Sequence, residues 1–434
     1  MPRCVSKLAH AALDERPFAL ALGIVSAPSH ARQRRWLRSY LPSLREHASG
    51  WAWRFVIGTP SPESLPCWRL CFHPANGQQA QAERLMAAQC DALENEHALT
   101  SDLLFVPAAD NEAVGCIDKT YAWFMHAVHA YPRASYVAMT QDDSVLLSTN
   151  LAYVLVQLKA HDYVYGGRVQ FSGFVEQPPT YRHCGWTESP RPRFNLSTVC
   201  KGYVDSTRVT RRRDVAKRRQ LGSQPKAVTS VGLFPFAQGA LELFSRKLAL
   251  HVFASAWTID WVATARRVAE GGRAPINSRW ECGAEDITTG YLVHANTRGL
   301  NVTLASLNEL IVDADATSEW SLPPSLVAVH HVAPPPDSAA NVTTTTSSSG
   351  RGRGRRRPVA SRRLASLLDE VRGTTDAPLR SRGALRCCAM HGGGCAASGG
   401  DGRARRVHGF RDWDERVLSL PAAAGWTSCS WSIR

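Results

Sequence analysis

The chain has 434 residues, of which 44% are hydrophobic and 20% charged, with 25 Pro and 31 Gly. This composition excludes a fully disordered chain, a collagen and a coiled coil, and the length suits one large domain with an appendage as well as two or three smaller domains. The net charge of +14 is concentrated in the C-terminal tail, because residues 351–434 contain 17 Arg and 7 acidic residues and leave +4 for the rest. The charge of the chain as a whole is therefore no evidence that its folded part binds nucleic acid.

The sequence contains no run of 18 apolar residues, and its longest apolar candidate, residues 18–25, has the length of a strand. We therefore expect neither a membrane span nor a secretory signal peptide in the chain as written.

From residue 18 onwards, short apolar segments alternate with segments of helical periodicity. Strands are predicted at 18–25, 53–58, 102–106, 135–140 and 162–167, and helices at 30–44, 79–97, 114–128 and 150–161. This alternation is typical of βαβ units, and it predicts an α/β fold with a Rossmann-like, mostly parallel sheet and helices on both faces.

The pattern weakens after residue 170. We interpret 171–230 as an irregular basic insertion, after which regular structure resumes at 233–245, in helices near 246–254 and 257–270, at 281–293 and in a strand at 326–332. The predicted organisation is a polar leader at 1–16, one domain at 17–336, and a low-complexity basic tail at 337–434 that we expect to be disordered.

Asp142 and Asp143 directly follow the apolar strand at 135–140. Ligands of parallel sheets bind beyond the carboxyl ends of the strands, and two adjacent carboxylates there suit Mg²⁺ or Mn²⁺ carrying a diphosphate. The same pair is also typical of an Asx turn that merely ends the strand.

Two further pairs could take part in chemistry. Glu285 and Asp286 begin a helix, where acids interact favourably with the helix dipole but could also supply a general base. His330 and His331 lie on the last predicted strand and should point to opposite faces, so that only one reaches the active edge. An imidazole beside a carboxylate suits Mn²⁺, although a His pair on a strand can also be purely structural.

The order of these motifs resembles glycosyltransferase family 31, which contains β-1,3-galactosyltransferases, N-acetylglucosaminyltransferases and Fringe enzymes. The similarity extends over residues 18–332. Four family motifs are matched in the N-terminal half. The first is matched by Arg34, Leu37 and Arg38, with Tyr40 in place of Thr, and the second by RFVIG. The third is matched by Glu94, Asp110 and Lys119-Thr120, and the fourth by YVAMTQDDSVLL.

Three more motifs follow in the C-terminal half. The family's YPPYCSGGGYVLS is similar to LFPFAQGALELFS at 233–245, and its E-D-V-x-x-G signature to Glu285, Asp286, Ile287 and Gly290. A metal-ligand strand of the family is similar to VHHV, which places His330 at the ligand position.

The resemblance implies a GT-A-type fold and an inverting transfer of a hexose or N-acetylhexosamine from a UDP-sugar to a glycan hydroxyl, with a β-1,3 linkage. It further implies that Asp143 and His330 bind Mn²⁺ or Mg²⁺ and that Asp286 is the catalytic base. The residues expected to contact the nucleotide sugar are Arg34, Arg38, Asp110, Lys119, Asp142 and Glu285. Family members work in the Golgi lumen behind a membrane anchor, which would have to precede the present Met1.

Two alternatives remain open at this stage. Gln141 occupies the first of three acidic positions in the family motif and is a poorer metal ligand, which is compatible with a catalytically impaired protein that still binds a nucleotide sugar. The Arg-rich tail could bind RNA, although no aromatic residues are interspersed among its arginines. A P-loop or dinucleotide enzyme is excluded, because neither glycine motif follows any predicted strand.

Overall fold

A computed structural model describes residues 14–41, 50–60, 79–110, 115–177, 180–187, 229–270, 285–314, 326–332, 334, 383–389 and 426–433. None of the helices in these segments is long and apolar enough to cross a membrane.

The described residues form seven helices. They are α1 (Ala31–Arg38), α2 (Gln79–Thr100), α3 (Gly115–Ala130), α4 (Ser148–Leu158), α5 (Arg246–Phe253), α6 (Ala256–Glu270) and α7 (Glu285–Asn296).

Apart from the two-residue strand β5, which directly follows β4, the described strands alternate with these helices up to β6, as the sequence predicted. They are β1 (Leu20–Ser26), β2 (Trp51–Pro60), β3 (Leu103–Asp110), β4 (Tyr136–Gln141), β5 (Val145–Leu146), β6 (Val164–Gln177), β7 (Thr180–Thr187), β8 (Thr229–Ser245), β9 (Val302–Ser306), β10 (Ile311–Asp313), β11 (Ala328–His330), β12 (Gly383–Ala389) and β13 (Trp426–Ile433).

The central sheet has the order β12-β13-β9-β6-β8-β4-β1-β2-β3, with β7 on the side of β6. Strands β1 to β4 are mutually parallel, and β6, β9 and β13 are parallel neighbours. Strand β8 is antiparallel to both β4 and β6 and joins the two parallel groups.

Apolar side chains of the sheet enter two hydrophobic clusters, one on each face. Alternation along β1 places Ala21 in one cluster and Leu22 in the other. Helices α3, α5 and α7 pack against the first cluster, and α1, α2 and α4 against the second. The predicted α/β fold, with helices on both faces of a mostly parallel sheet, is therefore confirmed.

A second, three-stranded sheet of order β10-β11-β5 determines the position of the candidate site. Val145 pairs with Val329 in antiparallel register, and the amide of Val332 donates to the carbonyl of Asp143 over 2.8 Å. These contacts bring the residues after β4 alongside the end of β11, although the two segments lie far apart in the sequence.

Two parts of the chain differ from the sequence-based expectation. The first residues of the predicted irregular insertion continue β6 to Gln177 and return as β7, whereas 188–228 lie outside the described residues. In the tail, β12 pairs with β13, and β13 joins the sheet edge beside β9, so disorder does not hold for these two segments. Residues Thr427, Cys429, Trp431 and Ile433 alternate with Ser, which is the period of two that a strand requires.

Candidate active site

A cleft of about 360 Å³ opens at the carboxyl end of β4, between the middle of β8, the first turn of α7 and the end of β11. Its wall is formed mainly by polar and charged side chains. The lining residues are Gln141, Gln170, Trp186, Phe236, Gln238, Gly239, Glu285, Asp286, Ile287, His330 and His331.

Asp143, His330 and His331 converge at one side of the cleft, with one ligand atom from each lying within 4.8 Å of the others. Nε2 of His330 lies 3.4 Å from Oδ1 of Asp143, and Nδ1 of His331 lies 3.3 Å from Oδ2. The meeting of Asp143 and His330, predicted as a pair of metal ligands, is thus observed.

The expectation that His330 and His331 point to opposite faces is wrong. Strand β11 ends at His330, and His331 takes a left-handed backbone with φ of 60°. This turn brings the two imidazoles into a stack with centroids 3.8 Å apart. Strict alternation applies only while the backbone stays extended.

His330 is held from behind by an ion-pair chain. Its Nδ1 lies 3.3 Å from Oδ1 of Asp313, whose other oxygen pairs with the Arg168 guanidinium. Burial lowers the pKa of His330, but Asp143 and Asp313 outweigh it and raise that pKa to about 9. His330 and Arg168 together hold the pKa of Asp313 below its usual range. Such a carboxylate fixes the ring orientation and directs Nε2 towards Asp143.

These residues fit a divalent cation. Oδ1 of Asp143 and Nε2 of His330 are buried and face each other at 3.4 Å, and in the described part of the chain neither has a hydrogen-bond partner besides this long ion-pair contact. Buried polar atoms usually make full hydrogen bonds, so an ion between the two would satisfy both, and a carboxylate with imidazole nitrogens is a donor set for transition-metal ions.

Gln141 and Glu285 form the adjacent wall. Nε2 of Gln141 donates to Oε1 of Glu285, which is buried at the start of α7. Burial and the neighbouring charge of Asp286 raise the pKa of Glu285 well above the carboxyl range. The Gln141 amide therefore donates a hydrogen bond to the Glu285 carboxyl group. An ionised Asp at position 141 has no proton to donate and could not make this hydrogen bond.

Asp286 lines the cleft beside His330, and its Oδ1 accepts the backbone N–H of Ile287 over 2.7 Å. Burial raises the pKa of Asp286, while backbone hydrogen bonds and the charge of His330 partly offset this. The result is a carboxyl group that titrates much closer to neutrality than a free Asp. Behind it, Glu242 is fully buried on β8, and burial with the charges of Asp286 and Glu285 raises its pKa as well.

Asp142 is placed by β1 and the loop before α1. Its Oδ2 accepts from Ser26 Oγ over 2.5 Å and lies 2.9 Å from Nδ1 of His30. Arg34 donates to the same Ser26 hydroxyl and to the Ala27 carbonyl. The side chain of Asp142 is thus anchored at the carboxyl edge next to the Asp143 site.

Arg34 and Arg38 have a different environment from the one expected. The Arg34 side chain is 1% exposed and is paired with Glu96, and Arg38 is paired with Glu96 and Asp102. Neither lines the cleft. Their guanidinium groups join α1 to α2 and to the residue before β3, and contact of either with a nucleotide stays a prediction.

Asp110 and Lys119 form a buried ion pair at the carboxyl ends of β2 and β3. They do not line the cleft, but the charge of Lys119 lowers the pKa of Glu285, so it is within electrostatic reach. Contact of this pair with a nucleotide stays a prediction.

Sequence reasoning did not identify several residues that shape the site. They are Arg168, Trp186, Glu242 and Asp313. Only the positions of two carried a signal: Asp313 ends a strand, and Arg168 follows the glycine pair at 166–167. His331 was noted but expected to face away.

No protein-family model and no curated protein sequence matches the chain. Among solved structures, the galactosyltransferase LgtC in complex with donor and acceptor sugar analogues is similar over 71% of this chain and 86% of its own, at 8% identity and a TM-score of 0.29. An active-site mutant of LgtC covers 73% and 88% at 9% identity and a TM-score of 0.33. The inositol-1-phosphate CTP transferase from T. maritima covers 60% and 84% at 10% identity and a TM-score of 0.20. Similarities of this size do not establish a function, which has to be argued from the site.

Proposed function

We propose that this protein is an inverting, metal-dependent glycosyltransferase that moves a hexose or N-acetylhexosamine from a UDP-sugar to a glycan hydroxyl. One observation supports it above the others: a partly buried carboxyl group, Asp286, and His330 line the same cleft at the carboxyl edge of the sheet, and Asp143 completes a divalent-cation donor set with His330 beside it. The motif order described above adds the family 31 assignment and the β-1,3 linkage to the proposal.

Asp143 and His330 would hold Mn²⁺ or Mg²⁺. When bound, such an ion offsets the charge that builds on a diphosphate leaving group. Asp142, anchored by Ser26 and His30, lies next in the chain and would orient the nucleotide. Asp313 and Arg168 keep the His330 ring in place.

Asp286 would act as the general base. Its oxygen takes the proton of the acceptor hydroxyl while that hydroxyl oxygen bonds to the anomeric carbon and the bond from this carbon to the UDP oxygen breaks. A base is most effective when its pKa lies near the working pH, and burial moves the pKa of Asp286 in this direction. The proton remains on Asp286 until solvent removes it.

The other wall of the cleft would bind the acceptor. Trp186 is 58% exposed there, and the amides of Gln170 and Gln238 line the same space. An aromatic face with neighbouring amides suits a sugar ring, which has apolar C–H faces and hydroxyl edges.

The test is transfer from a panel of UDP-sugars to glycan acceptors, with Mn²⁺ and with a chelator. We expect one donor to be consumed only with the metal present, and Asp286→Asn to lower transfer by at least about 100-fold, the scale of general-base catalysis. Asp260→Asn, an exposed acid on α6, is the matched control and should retain full activity. Near wild-type transfer by Asp286→Asn would reject the base, and no consumption of any donor would favour the catalytically impaired alternative.

A Golgi-lumenal location is part of the proposal. Asn301 is exposed and begins an N-glycosylation sequon, Asn-Val-Thr. The protein isolated from its native cells, where an upstream segment would supply the anchor, should therefore migrate faster after glycosidase treatment. A chain that is never glycosylated would argue against this location.

A further inference from the structure

We infer that His331 is a third protein ligand of the metal ion, so that Asp143, His330 and His331 form a two-histidine, one-carboxylate site that binds a transition-metal ion before any nucleotide arrives. This inference rests on the metal site of the proposed function and adds a ligand to it.

The separations between the donor atoms agree with such a site. The Asp143 carboxylate faces one imidazole nitrogen with each of its oxygens, at 3.4 Å for His330 and 3.3 Å for His331. Ligand atoms bound at roughly 2.1 Å with angles between 90° and 109° lie about 3.0 to 3.5 Å from each other. Both carboxylate–imidazole separations are therefore those of neighbouring vertices of one coordination shell, and the three donor atoms, which lie within 4.8 Å of one another, need to move closer together by only about an ångström to share one ion.

The backbone at His331 supplies an independent argument. A non-glycine residue with positive φ is uncommon, and this conformation costs free energy unless the surroundings compensate. Among described non-glycine residues it occurs only at Ser101 and His331. At His331 its consequence is to turn the imidazole away from the far face and onto the ring of His330. A cation bound to both imidazoles and to the carboxylate would account for this arrangement and would compensate the cost of the left-handed backbone.

The donor set also indicates which ions would bind. Imidazole nitrogen suits Fe, Ni, Cu and Zn, and affinity for a given site rises from Mn²⁺ towards Cu²⁺, whereas Mg²⁺ prefers an octahedral shell of oxygen atoms. A site with two imidazoles should thus bind first-row ions, with Mn²⁺ the weakest of them, without help from diphosphate oxygens and discriminate against Mg²⁺.

The experiment measures Mn²⁺ binding to the full-length protein by calorimetry, with no nucleotide or sugar present. The variant is His331→Gly, since glycine takes positive φ without strain, and His129→Ala, an exposed histidine on α3, is the matched control. Loss of an outer-shell partner already costs about 10- to 100-fold in metal affinity, so we expect at least a tenfold loss for His331→Gly and none for the control. Circular dichroism spectra verify that both variants are folded.

A second readout counts the ligands. Pulsed electron paramagnetic resonance of bound Mn²⁺ should detect two imidazole nitrogens in the wild type and one in His331→Gly. Unchanged affinity and an unchanged nitrogen count in the variant would overturn the inference, as would a wild-type protein that binds no Mn²⁺ alone. Sugar transfer is not needed for either readout. A protein that binds Mn²⁺ through both histidines but transfers no sugar would reject only the proposed function. A protein that transfers sugar normally with the metal bound to a single histidine would reject only this inference.

Discussion

Oδ1 of Asp313 lies 3.3 Å from Nδ1 of His330, so that the opposite nitrogen of the same ring faces Asp143. This contact makes Asp313 a positioning residue for the metal site. We expect Asp313→Ala to weaken Mn²⁺ binding by about 10- to 100-fold, as for other outer-shell carboxylates, because the ring would lose its fixed orientation. Calorimetry measures the loss. Glu309→Ala, an exposed acid close by in the chain, is the control, and equal affinities for both variants would contradict this role.

The donor role of Gln141 predicts a pH-dependent defect for an acidic replacement. In Gln141→Glu, two carboxyl groups would meet where an amide now donates to Glu285. Ionisation would then be opposed by repulsion and burial, so we expect a loss of about 1 to 3 kcal/mol in the free energy of unfolding, larger at pH 8 than at pH 5. Chemical denaturation at both pH values checks it, with Gln157→Glu on the exposed side of α4 as control. A variant as stable as the wild type at pH 8 would show that Gln141 has no such role.

The buried acids also predict how stability depends on pH. The pKa values of Glu242, Glu285 and Asp286 are raised, chiefly by burial. Below the ordinary carboxyl pKa, these groups are protonated in both the folded and the unfolded protein. Above it, they ionise in the unfolded chain but stay protonated in the folded protein until the pH reaches their raised pKa. The free energy of unfolding should therefore fall as pH rises from about 5 to 8. Each group that is ionised only in the unfolded chain lowers it by about 1.4 kcal/mol for every pH unit.

Denaturation in the presence of a chelator measures this slope without a contribution from metal binding. Glu242→Gln should flatten it and cost little at pH 5, where the wild-type carboxyl group is also neutral. A free energy of unfolding that rises between pH 5 and 8, or a slope unaffected by Glu242→Gln, would show that these groups ionise normally.

Trp186 offers a test of the acceptor side. If its exposed ring packs on the acceptor, Trp186→Ala should raise the acceptor KM about 5- to 150-fold, which corresponds to roughly 1 to 3 kcal/mol of lost stacking by analogy with base–aromatic contacts. Trp186→Phe should be affected less, because it keeps an aromatic face. The donor KM should be unchanged in both. A defect confined to the donor KM would place Trp186 on the nucleotide side instead.

The sequence predicted the fold through its apolar runs. The apolar run at 135–140 forms the buried strand β4, and the apolar face of the segment predicted at 150–161 packs into the core from α4, because their apolar spacing favours these environments. The rule that ligands bind at the carboxyl edge then selected Asp142 and Asp143. These inferences depend on local patterns, which is why they could be made without coordinates.

The remaining features depend on contacts that local patterns do not encode. The two-residue strand β5 brings Asp143 to His330 by pairing with β11, and two residues are too few for a recognisable strand signal. The left-handed backbone of His331 could not be predicted from the sequence, because histidine is enriched at positive φ but still adopts it only in a minority of cases. The pairing of Arg34 with Glu96 could not be predicted either, because the two residues lie 62 positions apart on different helices.

The central claim is that Asp143 and His330 join a divalent ion to a nucleotide diphosphate. The most direct measurement is calorimetric titration of UDP into the protein with and without Mn²⁺, for the wild type, Asp143→Ala and the exposed-acid control Asp260→Ala. We predict that Mn²⁺ strengthens UDP binding to the wild type and to the control by at least tenfold. In Asp143→Ala, the affinity for UDP should be the same with and without Mn²⁺. Mn²⁺-linked UDP affinity that persists unchanged in Asp143→Ala would contradict the account.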